Sequence, residues 1–276
     1  MKSTLQTFVA RPEYGVAWIT AAATGVGREL ALKLARDGFT VAVTAKNHQF
    51  LVELAAEAAD APGHIAVLDG DVTNPADMQR IIAAIEYEYG AIALAVFGGG
   101  VFVPVDGSDL HAQDFDRSFS INLAGVVNCL LPTIRHMQGH GQGQIAIMSS
   151  TAGYGGLPAN AAYGATSAAL INMAESLKYD LDRLGIRIQV IDAGATDRHF
   201  PTHMFAGIPL HVTPQEAAGR IVQGLQSNAF EISVPRRHVL AFKLLRLVPY
   251  RFYFPLVSWI AQRKTGGHGA DLHPAE

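Results

Sequence analysis

Short β-branched runs alternate with longer helical patterns from residue 16 to residue 234, and this alternation limits the fold more than any other feature of the chain. Strand-like runs fall at residues 16–20, 39–44, 64–68, 91–97, 144–149, 186–191 and 230–234. Between them, apolar residues recur at helical spacing. Helices are predicted from the Ala21–Gly27 turn to Gly38, then over 49–59, 75–89, 114–137 and 161–184, and a further one from Thr213. Pro75 suits a first helical turn, and Thr213-Pro214-Gln215-Glu216 has the form of a capping box. Strands of four to six residues alternating with helices of ten or more fit a parallel sheet covered on both faces. The expected architecture is α/β: one doubly wound parallel sheet of about seven strands with helices on both faces, of Rossmann type. One domain is expected over residues 1–276.

Composition narrows the function classes. Hydrophobic residues make up 49% of the 276 and charged residues 16%, so the chain is neither disordered nor a polyelectrolyte. A formal charge of −3 gives no electrostatic case for nucleic acid. A single cysteine, Cys129, excludes a disulfide framework and a cysteine zinc site. His136/His140 and His199/His203 are each four apart but have no acid between them, so no metal is expected. Met1 to Pro12 lacks the apolar stretch of a secretory leader, and no run reaches the length of a membrane span. A cytoplasmic location is the expectation.

The turn after the first strand reads Thr20-Ala21-Ala22-Ala23-Thr24-Gly25-Val26-Gly27. Small residues there let a phosphate approach the backbone, and amides at a helix start hold it. Nucleotide binding is therefore expected of Thr20, Ala22, Thr24, Gly25, Val26 and Gly27; a tight connection without ligand is the plain alternative. The second strand ends in Thr44-Ala45-Lys46-Asn47. No acid is present to hold a ribose diol, and Lys46 faces either a 2′-phosphate or solvent, which leans toward NADP over NAD. Asp71, after the third strand, is placed for the adenine edge or for a turn.

In the order and spacing of its motifs over residues 14–235 the chain resembles the classical short-chain dehydrogenase/reductase family. The motifs are the turn from Thr20 to Gly27; Asp71-Val72; the loop Phe97-Gly98-Gly99-Gly100; Asn122 in Ile121-Asn122-Leu123-Ala124-Gly125; Ser150 in Ser149-Ser150-Thr151-Ala152-Gly153; Tyr163 in Ala162-Tyr163-Gly164-Ala165-Thr166; and Gly185-Ile186-Arg187. The resemblance implies NAD or NADP along the carboxyl ends of the strands, touching Val72, Gly98, Gly99, Ala193 and Gly194. It implies hydride transfer to or from a small molecule, with Tyr163 as general acid or base, Ser150 on the substrate oxygen and Asn122 in support. It also implies a homodimer or homotetramer built on the two long helices.

The departures from that pattern bear on chemistry. Four residues after Tyr163, where the family has lysine, stands Ser167. A lysine there favours the phenolate through its charge; serine supplies none. Lys178 lies on the same predicted helix but roughly 16 Å further along its axis. Ala21 replaces a glycine, Phe97, Gly98 and Gly99 replace Asn, Asn and Ala, and Ala193-Gly194 replaces Pro-Gly. Ser150 and Tyr163 nonetheless keep their 13-residue separation. Three readings stay open: a reductase in which Tyr163 donates a proton; a dehydratase, isomerase or cyclase on the same scaffold; and a catalytically silent partner subunit.

Residues 198–213 are expected to cover the substrate, with Arg198 and Phe205 as contacts and Tyr154 and Leu157 adding to that wall. Met204, Phe205, Ile208 and Leu210 point to an apolar or aromatic ligand. Residues 236–264 hold seven of the 21 Lys and Arg and no acid, leaving 14 basic against 24 acidic residues elsewhere. This basic aromatic extension, divided by Pro249 and Pro255, is expected to pack on the body or a partner chain, or to make peripheral membrane contact.

Overall fold

The computed structural model describes residues 8–98, 100–193 and 212–262. Seven strands, β1 (Val16–Thr20), β2 (Thr40–Thr44), β3 (His64–Val67), β4 (Ile92–Phe97), β5 (Gly143–Ser149), β6 (Ile186–Ala193) and β7 (Glu231–Val234), form one sheet in the order β3-β2-β1-β4-β5-β6-β7. Every pairing is parallel. The order reverses between β1 and β4, and there the two crossovers leave in opposite directions and open a crevice at the carboxyl ends of the strands.

Strand alternation divides the core into two layers. Ala17, Ile19, Val41 and Val43 face α1 (Gly25–Arg36), α2 (His48–Glu57) and α7 (Pro214–Gln226). Val16, Trp18, Phe97 and Ile145 face α3 (Pro75–Tyr89), α5 (Gly125–His140) and α6 (Ala161–Leu181). Trp18 is fully buried, and its indole N–H donates to Thr44 Oγ1 at 2.9 Å, which satisfies the one polar atom such a ring carries. Thr213 accepts from the Glu216 N–H at the start of α7, as the capping pattern predicts.

Two helical expectations are corrected. The helix expected over 114–137 is α4 (Ala112–Ser118), a π-helical stretch (Phe119–Ala124) and then α5. The widened turn carries Asn122, whose side chain leaves the helix to bond a neighbouring loop. In the extension, Pro249 does separate α8 (Arg236–Arg246) from α9 (Tyr250–Gln262), but Pro255 lies inside α9. Pro255 and Arg251 are both exposed, so the carbonyl that loses its helical partner is left to water.

The far end of the sheet is tied by a buried polar group of three. Arg187 donates to the carbonyls of Leu225, Ser227 and Ala229; Gln189 donates to those of Gly224 and Ala229; Gln144 donates to Gln189 Oε1 and to Leu225 O. These bonds hold the α7–β7 connection against β6. Arg187→Ala removes a donor from all three of its carbonyls, of which Leu225 O keeps Gln144 and Ala229 O keeps Gln189, and a loss of about 1–3 kcal/mol is expected from the shift of the urea midpoint. A loss below about 1 kcal/mol, within the range of surface substitutions, would show that the network does not fasten β7.

Candidate active site

The turn after β1 is strained at the residue the sequence marks as irregular. Ala21 has φ 52°, the left-handed region that glycine enters freely and alanine at a cost of about 1 kcal/mol. Its neighbour Ala22 is buried and donates to Thr44 O. Gly25 has φ 60°, and a β-carbon built on it meets nothing within 4 Å. Gly27 allows α1 to approach the turn, since a β-carbon there lies 2.6 Å from Ala21 O. Thr24 precedes α1 without capping it by its side chain, and Val26 is buried beneath the turn. The first amides of α1 therefore face open room above Gly25, the requirement for seating a pyrophosphate. The residues present fit a dinucleotide.

The crevice is closed from below by Thr20. Its hydroxyl donates to Gly98 O and accepts from Gly98 N–H, both at 3.1 Å, which ties the carboxyl ends of β1 and β4 together. Phe97 does not enter the crevice: it is buried edge-on against Trp18, with ring centroids 5.5 Å apart. Asn122 clamps the loop after Gly98, accepting from Val101 N–H at 2.8 Å and donating to Val101 O at 2.9 Å.

Lys46 and Asp71 meet each other across the ends of β2 and β3, Nζ to Oδ2 at 2.8 Å. Partial burial raises the Asp71 carboxyl, but Lys46 and the Thr73 N–H outweigh it and hold the group below its ordinary value. Lys46 remains largely exposed. Val72 packs against Gly125 at the start of α5, and its carbonyl accepts from Asn128.

The turn that follows Ser150 is held to α6, the helix that carries Tyr163, by two glycine contacts. The 3-10 turn Thr151–Gly153 docks on the first turns of α6: a β-carbon on Gly153 would lie 2.9 Å from Ala168 N, and one on Gly164 would lie 3.1 Å from Ala152 O. Larger residues at either place would push the turn off the helix. Ser150 Oγ accepts from Ala152 N–H at 3.3 Å, so it caps the turn and still has its own proton to donate. Tyr163 is half-buried, with its ring edge-on to Phe102 at 5.5 Å. Ser167 is buried and gives its proton to Tyr163 O at 3.0 Å, the back-bond of a helical serine. Its hydroxyl keeps only acceptor capacity, and it brings no charge to the site.

Sequence reasoning passed over Asp192. It lies opposite Ser149 in the β5–β6 register, and both carboxylate oxygens are buried without a hydrogen-bond partner among the described residues. Burial first, then the charge of Glu231, push its carboxyl up to about 7. Tyr154, expected on the substrate wall, faces Asp192 and Glu231, and burial together with these two acids pushes its phenol up. Lys243 of α8 pairs with Glu231 and stands 5.1 Å from the Tyr154 ring centre, while Arg246 donates to Tyr154 O at 2.9 Å. The signal in the sequence was one acid following the apolar pair Val190-Ile191 at the end of a strand. Ala193, at the end of β6, pairs with Val234. Gly99, Gly194, Arg198 and Phe205 lie outside the described residues.

The histidine pair on α5 does have an acid near it, from another helix. Glu86 of α3 lies 3.4 Å from His136 Nδ1 and 3.4 Å from His140 Nε2, so the argument from sequence spacing fails there. His136 Nε2, however, accepts from Ile92 N–H at 3.0 Å. The neutral ring then carries its proton on Nδ1, toward Glu86, and has no lone pair to offer a metal at that point.

The short chain dehydrogenase family model matches residues 15–207. A sorbitol dehydrogenase of Cereibacter sphaeroides is 32% identical over 182 residues, 66% of this chain and 70% of its own. A 3beta-hydroxysteroid dehydrogenase of Mediterraneibacter gnavus is 27% identical over 203 residues, 73% of each chain. Among solved structures, a 3-ketoacyl-ACP reductase from Sinorhizobium meliloti superimposes with a TM-score of 0.70 at 26% identity, covering 79% of this chain and 96% of its own. The chain belongs to the short-chain dehydrogenase family, and is thereby an oxidoreductase of small organic molecules that depends on NAD(P).

The raised Asp192 carboxyl makes a stability prediction. Its native value lies above the unfolded one near 4, so the native state binds the extra proton between the two. Stability from this group is full at low pH and is lost as pH rises through about 7. The wild-type melting temperature should fall between about pH 5 and pH 8 by several degrees more than that of Asp192→Asn, measured by calorimetry. Equal slopes in the two proteins would refute the assignment.

Proposed function

We propose that this short-chain dehydrogenase reduces the carbonyl of an apolar or aromatic small molecule, with Tyr163 as proton donor and Ser150 as the hydrogen bond that orients the carbonyl oxygen. The observation that carries this reading is the docking of the Ser150 turn on the first turns of α6, through Gly153 and Gly164, beside a crevice with room for a dinucleotide at Gly25. A reduced nicotinamide, when bound, supplies the hydride to the carbonyl carbon. The phenol proton passes to the carbonyl oxygen, the product is an alcohol, and the phenol is reprotonated from solvent. Delivering a proton from a neutral phenol requires no positive charge at position 167, whereas abstracting one from an alcohol gains from it. Ser167 therefore favours reduction over oxidation.

Several features support the details. Ser150 keeps its hydroxyl proton for the substrate, because Ala152 N–H occupies only an acceptor position. Asn122 holds the loop at Val101 and so fixes the floor of the crevice. Phe102 against Tyr163, and Leu157 nearby, supply apolar wall, in keeping with the steroid named for one relative. Lys46, exposed at the end of β2 with no acid beside it in sequence, favours a 2′-phosphate and hence NADP. Its pairing with Asp71 keeps the ammonium near the adenosine end.

The test is NADPH-dependent reduction of a panel of aromatic and alicyclic ketones. Tyr163→Phe should lower kcat/KM by at least about 100-fold without changing NADPH affinity, and Ser150→Ala should lower it by about 10-fold or more. Turnover by Tyr163→Phe at the wild-type rate would remove Tyr163 from the chemistry. A panel wholly unreduced by a protein that binds NADPH would favour non-redox chemistry on the same scaffold.

A further inference from the structure

The two helices after β7 carry an apolar surface that stands exposed among the described residues. Their inner seam is short: Tyr253 and Val257 pack with Ala152 and Leu157, and Phe242, Leu245 and Val248 lie against that cluster. Tyr253 also donates its hydroxyl to Gly156 O at 2.8 Å. The side turned away is apolar as well. Leu240, Leu244 and Leu247 form one exposed stripe along α8, and Leu247 is 78% exposed. On α9, Tyr250 and Phe254 stack 5.5 Å apart and are 73% and 58% exposed. A surface helix of a soluble domain normally turns polar residues outward, and a helix apolar on several sides is covered by something.

Charge selects what covers it. Residues 236–264 contain seven basic residues and no acid, whereas the rest of the chain has 24 acidic residues against 14 basic ones. Arg236, Arg237, Arg246 and Arg251 are exposed at the ends and flanks of the apolar stripes. A second copy using the same face would set like charges against each other, since a two-fold contact pairs a surface with itself. An anionic bilayer is complementary to the basic residues, accepts apolar side chains from more than one helical face, and is repelled by the acidic body. Neither helix spans: α9 has 13 residues, about 20 Å at the helical rise, and among the described residues no helix is long and apolar enough to cross a membrane.

We propose that α8 and α9 seat this protein on an anionic phospholipid surface, with Leu244, Leu247, Tyr250 and Phe254 entering the acyl boundary and the flanking arginines on the headgroups. This rests on the extension alone and not on the reduction chemistry. The experiment is flotation of the full-length protein with vesicles of phosphatidylcholine containing about 30 mol % phosphatidylserine, and with phosphatidylcholine alone, at about 0.1 M salt. No nicotinamide or ketone is present, so the outcome is independent of the reductase reading. Most of the protein should float with the anionic vesicles, and at least about tenfold less with neutral vesicles or at about 1 M salt. Leu247→Glu combined with Phe254→Glu should abolish binding, and Arg237→Glu combined with Arg251→Glu should reduce it at least about tenfold. All four positions are exposed, and unchanged melting temperatures would show that the variants fold. Failure to float with anionic vesicles, or flotation unchanged by both double variants, would overturn the proposal. So would a wild-type oligomer that Leu247→Glu/Phe254→Glu converts to monomer without any vesicle binding.

Discussion

The structure turns on a pair of hydrogen bonds from one hydroxyl. Thr20 Oγ1 both donates to and accepts from Gly98, and so fixes the carboxyl ends of β1 and β4 where the strand order reverses. Everything that bears on function hangs from these two ends. The turn leaving β1 sets the left-handed Ala21 and the open Gly25 before the amides of α1. The loop leaving β4 runs to Val101, where Asn122 takes hold of it. Asn122 sits in the π-helical turn Phe119–Ala124, and its side-chain amide makes both bonds of that clamp.

The catalytic side of the crevice depends on contact distance rather than on charge. Gly153 and Gly164 let the 3-10 turn that follows Ser150 lie directly on α6, the helix that carries Tyr163. With Ser167 bonded to its own helix, position 167 contributes packing and an acceptor but no charge. The ionisable groups of the neighbourhood have moved elsewhere. Buried Asp192 and the partly exposed Tyr154, Glu231 and Lys243 form a second cluster, braced by α8 through Lys243 and Arg246. The extension is therefore part of the site's support and not an appendage.

Much of this was legible in the chain. Buried parallel strands are continuous apolar runs, and all seven were read within two residues at each end. Ala21 was identifiable as the irregular member of its turn, and its φ of 52° bears that out. What periodicity could not carry was any event that leaves the apolar pattern intact. The π turn at Phe119–Ala124 preserves helical spacing on both sides, and Pro255 continues α9 because its unpaired carbonyl faces water. Contacts between distant elements were also hidden: Lys46 with Asp71, Glu86 with His136, and Asp192 with Tyr154 each join separate elements of the fold. Asp192 was the one such residue with a visible sign, an acid directly after Val190-Ile191 in the sixth strand.

The central claim is that the crevice at the β1–β4 switch holds a reduced dinucleotide with Ala21 in its turn and Ser167, not a cation, four residues after Tyr163. Calorimetric titration of the purified protein with NADPH and with NADH, repeated on Gly25→Val, tests it most directly. Micromolar binding is predicted, tighter for NADPH, and lost in Gly25→Val because the new side chain is strained at φ 60° and occupies the room over α1. A folded wild-type protein that binds neither nucleotide would contradict the account at its base.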